Sequence, residues 1–165
     1  WTPIFFLDDA VALAAGHRPC GLCRRHDYLS YREAVRHGRG IDAPVFATDL
    51  NRMLAGERLR RGSGLSRAAD RKTWLADIGS LPNGTVIIGD DRPRLVLGAQ
   101  LLEFRFTGWT RPVPRRASGA VRVLTPPTSV IALANGYRPA IHPSAEDTDA
   151  RPADDNRPRH PRRPQ

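Results

Sequence analysis

Residues 5–25 read FFLDDAVALAAGHRPCGLCRR and begin the chain with a helix, a turn and two cysteines. Residues 10–15 are good helix formers, and Asp8 or Asp9 can accept a hydrogen bond from the first free N–H groups of the helix. Gly16 can end the helix in the left-handed conformation. The sequence therefore predicts one short helix that stops just before the cysteines.

Cys20 and Cys23 are separated by two residues and form a C-x-x-C turn. Such a turn lets two thiolates reach one metal ion, and the backbone N–H groups after the first cysteine stabilise the sulfurs. Zinc takes four ligands. His17 and His26 are nearby candidates for the other two, but we expect the remaining ligands upstream of residue 1. The sequence thus predicts half of a zinc site.

Three other interpretations of the cysteines stay open. A thioredoxin-type redox pair also uses C-x-x-C, but it expects a strand before the motif, whereas here a helix and Pro19 precede it. A disulfide across two intervening residues is strained. The cysteines can also be buried and without a chemical role. Metal binding remains the main prediction.

The chain has a formal net charge of +9, and this charge is unevenly distributed. Residues 17–72 hold thirteen Arg or Lys against six acids, and residues 92–122 hold seven Arg against one Glu. A surface that contacts phosphates needs such a local excess. The alternative is that 25 arginines and one lysine reflect codon usage in a GC-rich genome. The distribution of charge is therefore consistent with a nucleic-acid partner, and codon usage stays open as the other explanation.

The rest of the chain predicts an α+β fold. Helical periodicity continues after the cysteines and predicts helices at residues 27–37 and 48–55. A closing helix is predicted at residues 129–135. Apolar and β-branched stretches between turn residues predict strands at residues 85–88, 94–97, 101–106 and 121–124. Short strands at this spacing indicate a small antiparallel sheet or partial barrel. Residues 2–7 are expected to be extended and buried.

We predict three segments along the chain. Residues 1–40 contain the C-x-x-C turn with its two helices, and residues 41–144 form the α+β body. Residues 145–165 are rich in Asp, Pro and Arg without aromatic residues, which predicts a disordered tail. Residues 58–72 are expected to be a basic arm that becomes ordered on a partner.

A ten-residue pattern occurs twice. VIALANGYRP at residues 130–139 matches AVALAAGHRP at residues 10–19 in six of ten positions, and Ala140 stands where the first repeat has Cys20. Coincidence between two Ala-rich helices is one explanation, and a recurring scaffold is the other. In either case the helix and turn can exist without cysteines.

Other chemical motifs are sparse. The sequence shows no Gly-rich phosphate loop and no H-E-x-x-H helix. Trp74 and Trp109 can stack on bases, but tryptophans in strand-rich segments more often belong to the core. No stretch approaches the roughly 18 apolar residues of a membrane span, and no signal peptide is visible. We therefore expect a cytoplasmic protein with no membrane partner.

Residues 5–24, with two aromatic residues, an Ala-rich helix and AAGHRPC-x-x-CR, resemble the second half of the zinc-binding domain of the Ada family. These bacterial proteins repair alkylated DNA and regulate transcription, and typically read A-x-A-A-G-[FY]-R-P-C-x-x-C-R-P here. The resemblance implies that Cys20 and Cys23 are the second pair of a four-cysteine zinc site. It also implies that Arg18 and Arg24 lie near the DNA backbone.

The chain also departs from the Ada pattern. No cysteine precedes Cys20, Arg25 replaces the usual proline, and neither a helix-turn-helix nor a Pro-Cys-His motif follows. The remainder, with GDDRPRLVLG and LTPPTSV, is similar to bacterial proteins that carry an Ada-like turn on a different body. The resemblance therefore carries over only a local metal site and DNA contacts, to which Arg25 adds a further cation.

The sequence thus leads to three functional hypotheses. The first is a zinc-stabilised nucleic-acid-binding protein, linked by resemblance to DNA repair or transcription regulation, whose affinity falls as salt rises. The second is an enzyme or small-ligand-binding domain in which the C-x-x-C turn is a structural clip. It would show a deep pocket with titratable residues near the sheet, remote from the turn. The third is capture of an acidic protein by residues 58–72.

Overall fold

The computed structural model describes residues 4–59 and 71–146 of the chain. Within these residues it contains four α-helices and one six-stranded antiparallel sheet. The predicted α+β fold is therefore confirmed, and the closing helix follows the sheet as expected. Residues 147–165, which make up nearly all of the predicted tail, and residues 60–70 of the predicted basic arm lie outside the described residues.

The helices are α1 (Asp9–Ala14), α2 (Arg25–Gly38), α3 (Ala47–Arg58) and α4 (Pro127–Ala134). Asp8 caps α1 as predicted, because its carboxylate accepts a hydrogen bond of 2.9 Å from the Val11 N–H. The sequence placed the start of the second helix at Asp27. In the structure α2 begins two residues earlier, and Asp27 lies in its first turn.

The strands are β1 (Trp74–Asp77), β2 (Val86–Gly89), β3 (Arg92–Leu97), β4 (Gln100–Arg105), β5 (Gly108–Pro114) and β6 (Ala120–Val123). Their order across the sheet is β1-β6-β2-β3-β4-β5. Strands β2, β3, β4 and β6 correspond to the four predicted strands. The sequence missed β1 and β5, which are the two edge strands. Pro112 and Pro114 obscured β5, since proline is tolerated at a sheet edge but argues against a central strand.

The sheet curls until its two edges approach each other. Arg115 follows the edge strand β5, and its guanidinium donates to the carbonyl oxygens of Ile78, Gly79 and Leu81, which follow the other edge strand. The Arg115–Leu81 bond is 2.7 Å long. One arginine thus closes the gap between the ends of the sheet.

The buried side chains form three clusters. One joins the helices around Tyr31, Val35, Leu50 and Leu133, and the other two lie on the inner and outer faces of the sheet. Helix α1 contributes to two of them, because Leu13 packs with the helices and Ala10 packs on the outer face. The boundary predicted at residue 40 therefore does not separate two cores.

Two predictions near the ends of the chain were wrong. Residues 2–7 were expected to be buried, yet Ile4 and Phe5 are exposed, Phe5 at 87%. Among the described residues no strand pairs with residues 4–6, and their side chains line a cavity. The tail was expected from residue 145, but Ala145 ends a short 3-10 helix, Pro143–Ala145, and is buried on the outer face of the sheet.

The repeated sequence is also a repeated local structure. Gly16 and Gly136 both have positive φ, +81° and +100°. In each copy the aromatic residue that follows donates its N–H back to an alanine carbonyl, from His17 to Ala12 at 2.9 Å and from Tyr137 to Ala132 at 3.0 Å. The motif is therefore a helix-ending turn that the fold uses twice.

Candidate functional site

The C-x-x-C turn is held between two helices. The positive φ of Gly16 directs the chain away from α1, and Pro19 is buried immediately before the cysteines. The Arg24 N–H then donates to the Cys20 carbonyl at 3.0 Å, and α2 begins at the next residue. The backbone thus makes a single tight turn around the two thiols.

The two sulfurs face each other and are both free thiols. The nearby backbone N–H groups of Cys23 and Leu22, followed by the Cys23 thiol, lower the pKa of Cys20 below its ordinary value. The pKa of Cys23 is raised, chiefly by its hydrogen bond to Cys20. Backbone N–H groups aimed at sulfur are what a C-x-x-C metal turn requires, because they stabilise the thiolate.

The described residues supply two thiol ligands and no complete metal site. No group of three or more His, Cys, Asp or Glu side chains within residues 4–59 and 71–146 is arranged to hold a metal ion. The His17 ring packs against Phe6, with 5.1 Å between the ring centres, and its pKa is lowered by burial and by Arg58 and Arg71. His26 is exposed and lies 3.6 Å from Asp27. Neither histidine joins the cysteines in such a group.

A cavity of about 540 Å³ lies beside the two sulfurs, within the size range of small-molecule pockets. Its lining includes the first three described residues, which are apolar. The titratable residues of the lining are Asp8, Asp9, His17, Arg18, Cys20, Cys23, Arg24 and Tyr137. The first described residues and the two cysteines therefore line the same cavity.

Arg18 is fixed at the surface of the turn. Its guanidinium lies over the ring of Tyr28, 5.0 Å from the ring centre. Its Nε donates to the Asn51 side chain at 3.1 Å, and its Nη1 donates to the Pro19 carbonyl at 3.0 Å. The side chain remains partly exposed, so a preordered cation is available at the turn.

Arg24 is paired with two carboxylates. It forms a forked ion pair with Asp9, in which Nη2 lies 2.9 Å from Oδ2, and its Nε donates to Asp27 at 2.9 Å. The pKa of Arg24 is raised, mainly by the hydrogen bond to Asp9. The phosphate contact predicted for Arg24 therefore competes with carboxylates already bound to it, and its clearest role is to hold the turn.

Arg25 differs from its neighbours because it is exposed and forms no ion pair with a described residue. It is the first residue of α2, whose start has no side-chain cap. The first N–H groups of a helix have no partner within the helix and carry a partial positive charge. The start of α2 thus presents the exposed Arg25 and these N–H groups next to the cysteines, while Asp27 in the same turn is paired with Arg24.

Asp8 and Asp9 have structural roles that the sequence only partly indicated. Beyond capping α1, the Asp8 carboxylate accepts hydrogen bonds from Trp109 Nε1 at 2.6 Å and from the His142 N–H at 3.1 Å. Asp9 accepts the Ala140 N–H at 2.9 Å. The sequence signal for these further roles was the presence of two adjacent aspartates, because capping α1 requires only one carboxylate.

The other described cavities are less suited to chemistry. One of about 480 Å³ lies against the loop before β2 and the end of α4, and Arg138 is the one titratable group among its lining residues. Another, of about 270 Å³, lies at the end of α3 beside Gly16 and Arg58. Of the cavities in the described part of the chain, the one beside the cysteines therefore holds the most titratable side chains.

Comparison with protein-family models, curated proteins and solved structures returns no match for the chain. A membrane span is also not seen, as none of the helices in residues 4–59 and 71–146 is both long and apolar enough to cross a bilayer.

Proposed function

We propose that the chain is a zinc-stabilised nucleic-acid-binding protein. The observation that carries the proposal is that the C-x-x-C turn, whose two cysteines line one cavity, leads directly into the start of α2, where Arg25 is exposed. A metal ion bound at the turn would fix the position of that helix start. The turn is thus a structural element for binding rather than a separate redox site.

Zinc is the metal that suits these ligands. It is bound by thiolates in structural sites of four ligands, and Cys20 and Cys23 provide two of them. The other two come from outside the described residues. The proposal assigns them to the chain upstream of residue 1, and residues 4–6 line the same cavity as the cysteines.

Phosphate groups are the proposed contact of the basic surface. Arg25 and the free N–H groups at the start of α2 form one anion-binding element, and Arg18 adds a cation held over Tyr28. Arg24 holds the turn in place through its ion pairs with Asp9 and Asp27. Contacts of this kind bind DNA with little sequence preference and weaken steeply with salt.

The cellular role follows from the resemblance alone. An Ada-like turn fits a cytoplasmic bacterial protein that acts in DNA repair or in regulation of transcription. A protein partner for residues 58–72 remains compatible with this role, since most of that arm lies outside the described residues.

Metal content tests the first half of the proposal. The full-length gene product, purified with zinc present, should retain zinc by elemental analysis, and Cys20→Ser and Cys23→Ser should each lose most of it. His26→Ala is the matched control, because His26 lies near the turn but is exposed, and it should keep the metal. Zinc retained by Cys20→Ser would refute the metal site.

Binding to duplex DNA at two salt concentrations tests the second half. Arg18→Ala and Arg25→Ala should each weaken binding and reduce the salt dependence by about one phosphate contact. Arg138→Ala is the control, because Arg138 occupies the position of Arg18 in the repeated sequence without cysteines beside it. Absence of binding at low salt, or equal losses for Arg18→Ala and Arg138→Ala, would contradict the proposal.

The alternative function is an enzyme or small-ligand-binding domain, and the cavity of about 540 Å³ favours it by its size. Its titratable groups are largely occupied by one another, however, as in the pair of Asp9 with Arg24. The cavity also adjoins the C-x-x-C turn instead of lying remote from it. Nucleic-acid binding is therefore the better supported function.

A further inference from the structure

A cavity of about 270 Å³ lies where the end of α1 meets α3. Its polar lining residues are His17, Arg18, Asn51 and Arg58, and Gly16 lies beside them. The remaining lining residues are apolar, so none of the described residues around the cavity carries a carboxylate. The polar side chains of the cavity are therefore two guanidinium groups, an imidazole and an amide.

Arg58 is fixed in place by the end of α1. Its Nη1 donates to the carbonyl oxygens of Ala15 and Gly16, and the shorter of the two bonds is 3.3 Å long. A Cβ added at Gly16 would overlap the Arg58 side chain, so this side chain passes where only a glycine leaves room. The Arg58 Nε is buried and has no acceptor among the described residues. Because a buried donor without an acceptor costs free energy, this group is suited to an oxygen of a ligand.

Arg18 lines the same cavity from the side of the C-x-x-C turn. Its Nε donates to Asn51 and its Nη1 donates to the Pro19 carbonyl, which leaves Nη2 without an acceptor among the described residues. Neither Arg18 nor Arg58 forms an ion pair with a described carboxylate. Two cations therefore share one small cavity without a carboxylate from the described residues to neutralise them.

His17 reflects the electrostatic potential at this cavity. Its pKa is lowered first by burial, and then by the charges of Arg58 and Arg71. The nearby guanidinium groups thus disfavour a further positive charge on the imidazole. The same positive potential favours an anion in the cavity.

We propose that this cavity binds one phosphate group, held by the guanidinium groups of Arg18 and Arg58 and by the side-chain amide of Asn51. Arginine donates paired hydrogen bonds that match the oxygens of a phosphate. The Asn51 oxygen already accepts a hydrogen bond from Arg18, which leaves its NH2 group to donate to the anion. The inference shares Arg18 with the proposed function but goes beyond it, because a free phosphate fits the cavity without any nucleic acid.

Size and charge favour phosphate over other ligands. The cavity is smaller than the roughly 300–1,000 Å³ of pockets for small organic molecules, so it suits a compact group. A phosphate monoester carries about −1.5 to −2 charges at neutral pH. Two guanidinium groups attract such an anion more strongly than a singly charged carboxylate.

The test measures binding of inorganic phosphate to the full-length gene product by titration calorimetry, with chloride at equal ionic strength as the reference. Binding should saturate in the millimolar range or below. Arg58→Gln, which keeps a donor for the end of α1 but removes the charge, should weaken binding about tenfold or more, as expected for one lost charge-assisted hydrogen bond. Asn51→Asp should also weaken it, because it places a carboxylate in the cavity.

Arg52→Gln is the matched control. Arg52 is next to Asn51 on the same helix, is exposed and pairs with Asp49, but it does not line the cavity. This variant should bind phosphate like the parent protein. Because Asn51 is exposed on α3, Asn51→Asp still tests the inference if Arg58→Gln fails to fold.

Duplex DNA distinguishes two sources of the phosphate group. If the cavity holds a backbone phosphate, Arg58→Gln should weaken duplex binding more than Arg52→Gln, although each variant removes one cation. If the cavity holds free phosphate, the two variants should bind the duplex equally while only Arg58→Gln loses phosphate. Either result supports the cavity as a phosphate site and identifies the source. Failure of the proposed function is seen separately, in zinc content and with Arg25→Ala, since Arg25 lies outside the cavity.

Chemical-shift changes of backbone N–H groups locate the bound phosphate, and they are expected at Gly16, Asn51 and Arg58. The inference is overturned if phosphate shows no saturable binding, or if Asn51→Asp binds it as tightly as the parent protein. It is also overturned if the shift changes fall only at the start of α2.

Discussion

Asp9 and Arg24 form a forked ion pair that joins the first turn of α1 to the end of the C-x-x-C turn. Asp9 is 8% exposed. Its carboxylate also accepts a hydrogen bond from the Ala140 N–H, so Asp9 links the turn to the segment after α4. The hydroxyl of Tyr137, which belongs to the second copy of the repeated motif, lies 3.4 Å from the same carboxylate. The position of the cysteines therefore depends on one buried carboxylate.

Arg24→Ala should lower the free energy of unfolding by roughly 1–3 kcal/mol, because it leaves the Asp9 carboxylate buried without its cation. The estimate is moderate since the Arg24 side chain is 39% exposed. Urea unfolding of the full chain measures the effect. Arg36→Ala is the control, because solvent screens its pair with the exposed Glu33 and the loss should be smaller. Equal losses in the two variants would contradict the role given to Asp9.

Gly16→Ala should destabilise the protein more than Gly136→Ala, although both glycines end a copy of the same motif. Each has positive φ, which costs alanine roughly 1–2 kcal/mol. At Gly136 nothing lies within 4 Å of an added Cβ, whereas at Gly16 it would approach the Arg58 side chain at 2.3 Å. The free energies of unfolding of the two variants, measured by thermal unfolding, should therefore differ by about 1 kcal/mol. A larger loss for Gly136→Ala would be inconsistent with this geometry.

Arg115→Ala should open the gap between the ends of the curled sheet. Its guanidinium donates to three carbonyl oxygens beyond β1, and losing these charged donors should cost roughly 2–3 kcal/mol. Arg116→Ala tests the neighbouring exposed arginine and should change stability by less than about 0.5 kcal/mol. Chemical unfolding followed by tryptophan fluorescence measures both. The proposed closure fails if the two variants are equally stable.

Alkaline pH should destabilise the helical cluster through Tyr31. This side chain is buried and its hydroxyl lies 2.9 Å from the Ser129 hydroxyl. Burial raises the pKa of Tyr31 to about 12, above the value of about 10 for an unfolded tyrosine. The folded state therefore holds its proton more tightly, and this stabilisation is complete below pH 10 and is lost as the pH rises from about 10 to 12.

Unfolding free energies measured between pH 9 and about 11.5 test this dependence, with tyrosinate absorbance as the titration signal. Tyr31→Phe should be less stable at neutral pH, since it loses a hydrogen bond, but should show a shallower decline at high pH. If the decline is equally steep without the Tyr31 hydroxyl, the titrating group lies elsewhere.

Local signals in the sequence located most secondary structure correctly. Asp8 before an Ala-rich run and Gly16 after it were sufficient to define α1, because capping and left-handed glycine depend on neighbouring residues. Strands β2, β3, β4 and β6 were equally visible, since their β-branched and apolar residues lie between turns. The C-x-x-C turn was found for the same reason.

Long-range contacts decided the rest. The edge strands β1 and β5 exist because neighbouring strands offer hydrogen bonds, which outweighed the weak strand preference of a proline-containing segment. The role of Arg24 also depends on a neighbour that is distant in sequence, because Arg24 is paired with Asp9 of α1.

The sequence by itself therefore determined the helices, most strands, the paired cysteines and the excess of arginine, all of which depend on residue type and short spacing. Only the tertiary structure decided which arginines are free for a ligand. A guanidinium is available or occupied according to the carboxylates that the fold brings to it, and this separates the paired Arg24 from the exposed Arg25 next to it.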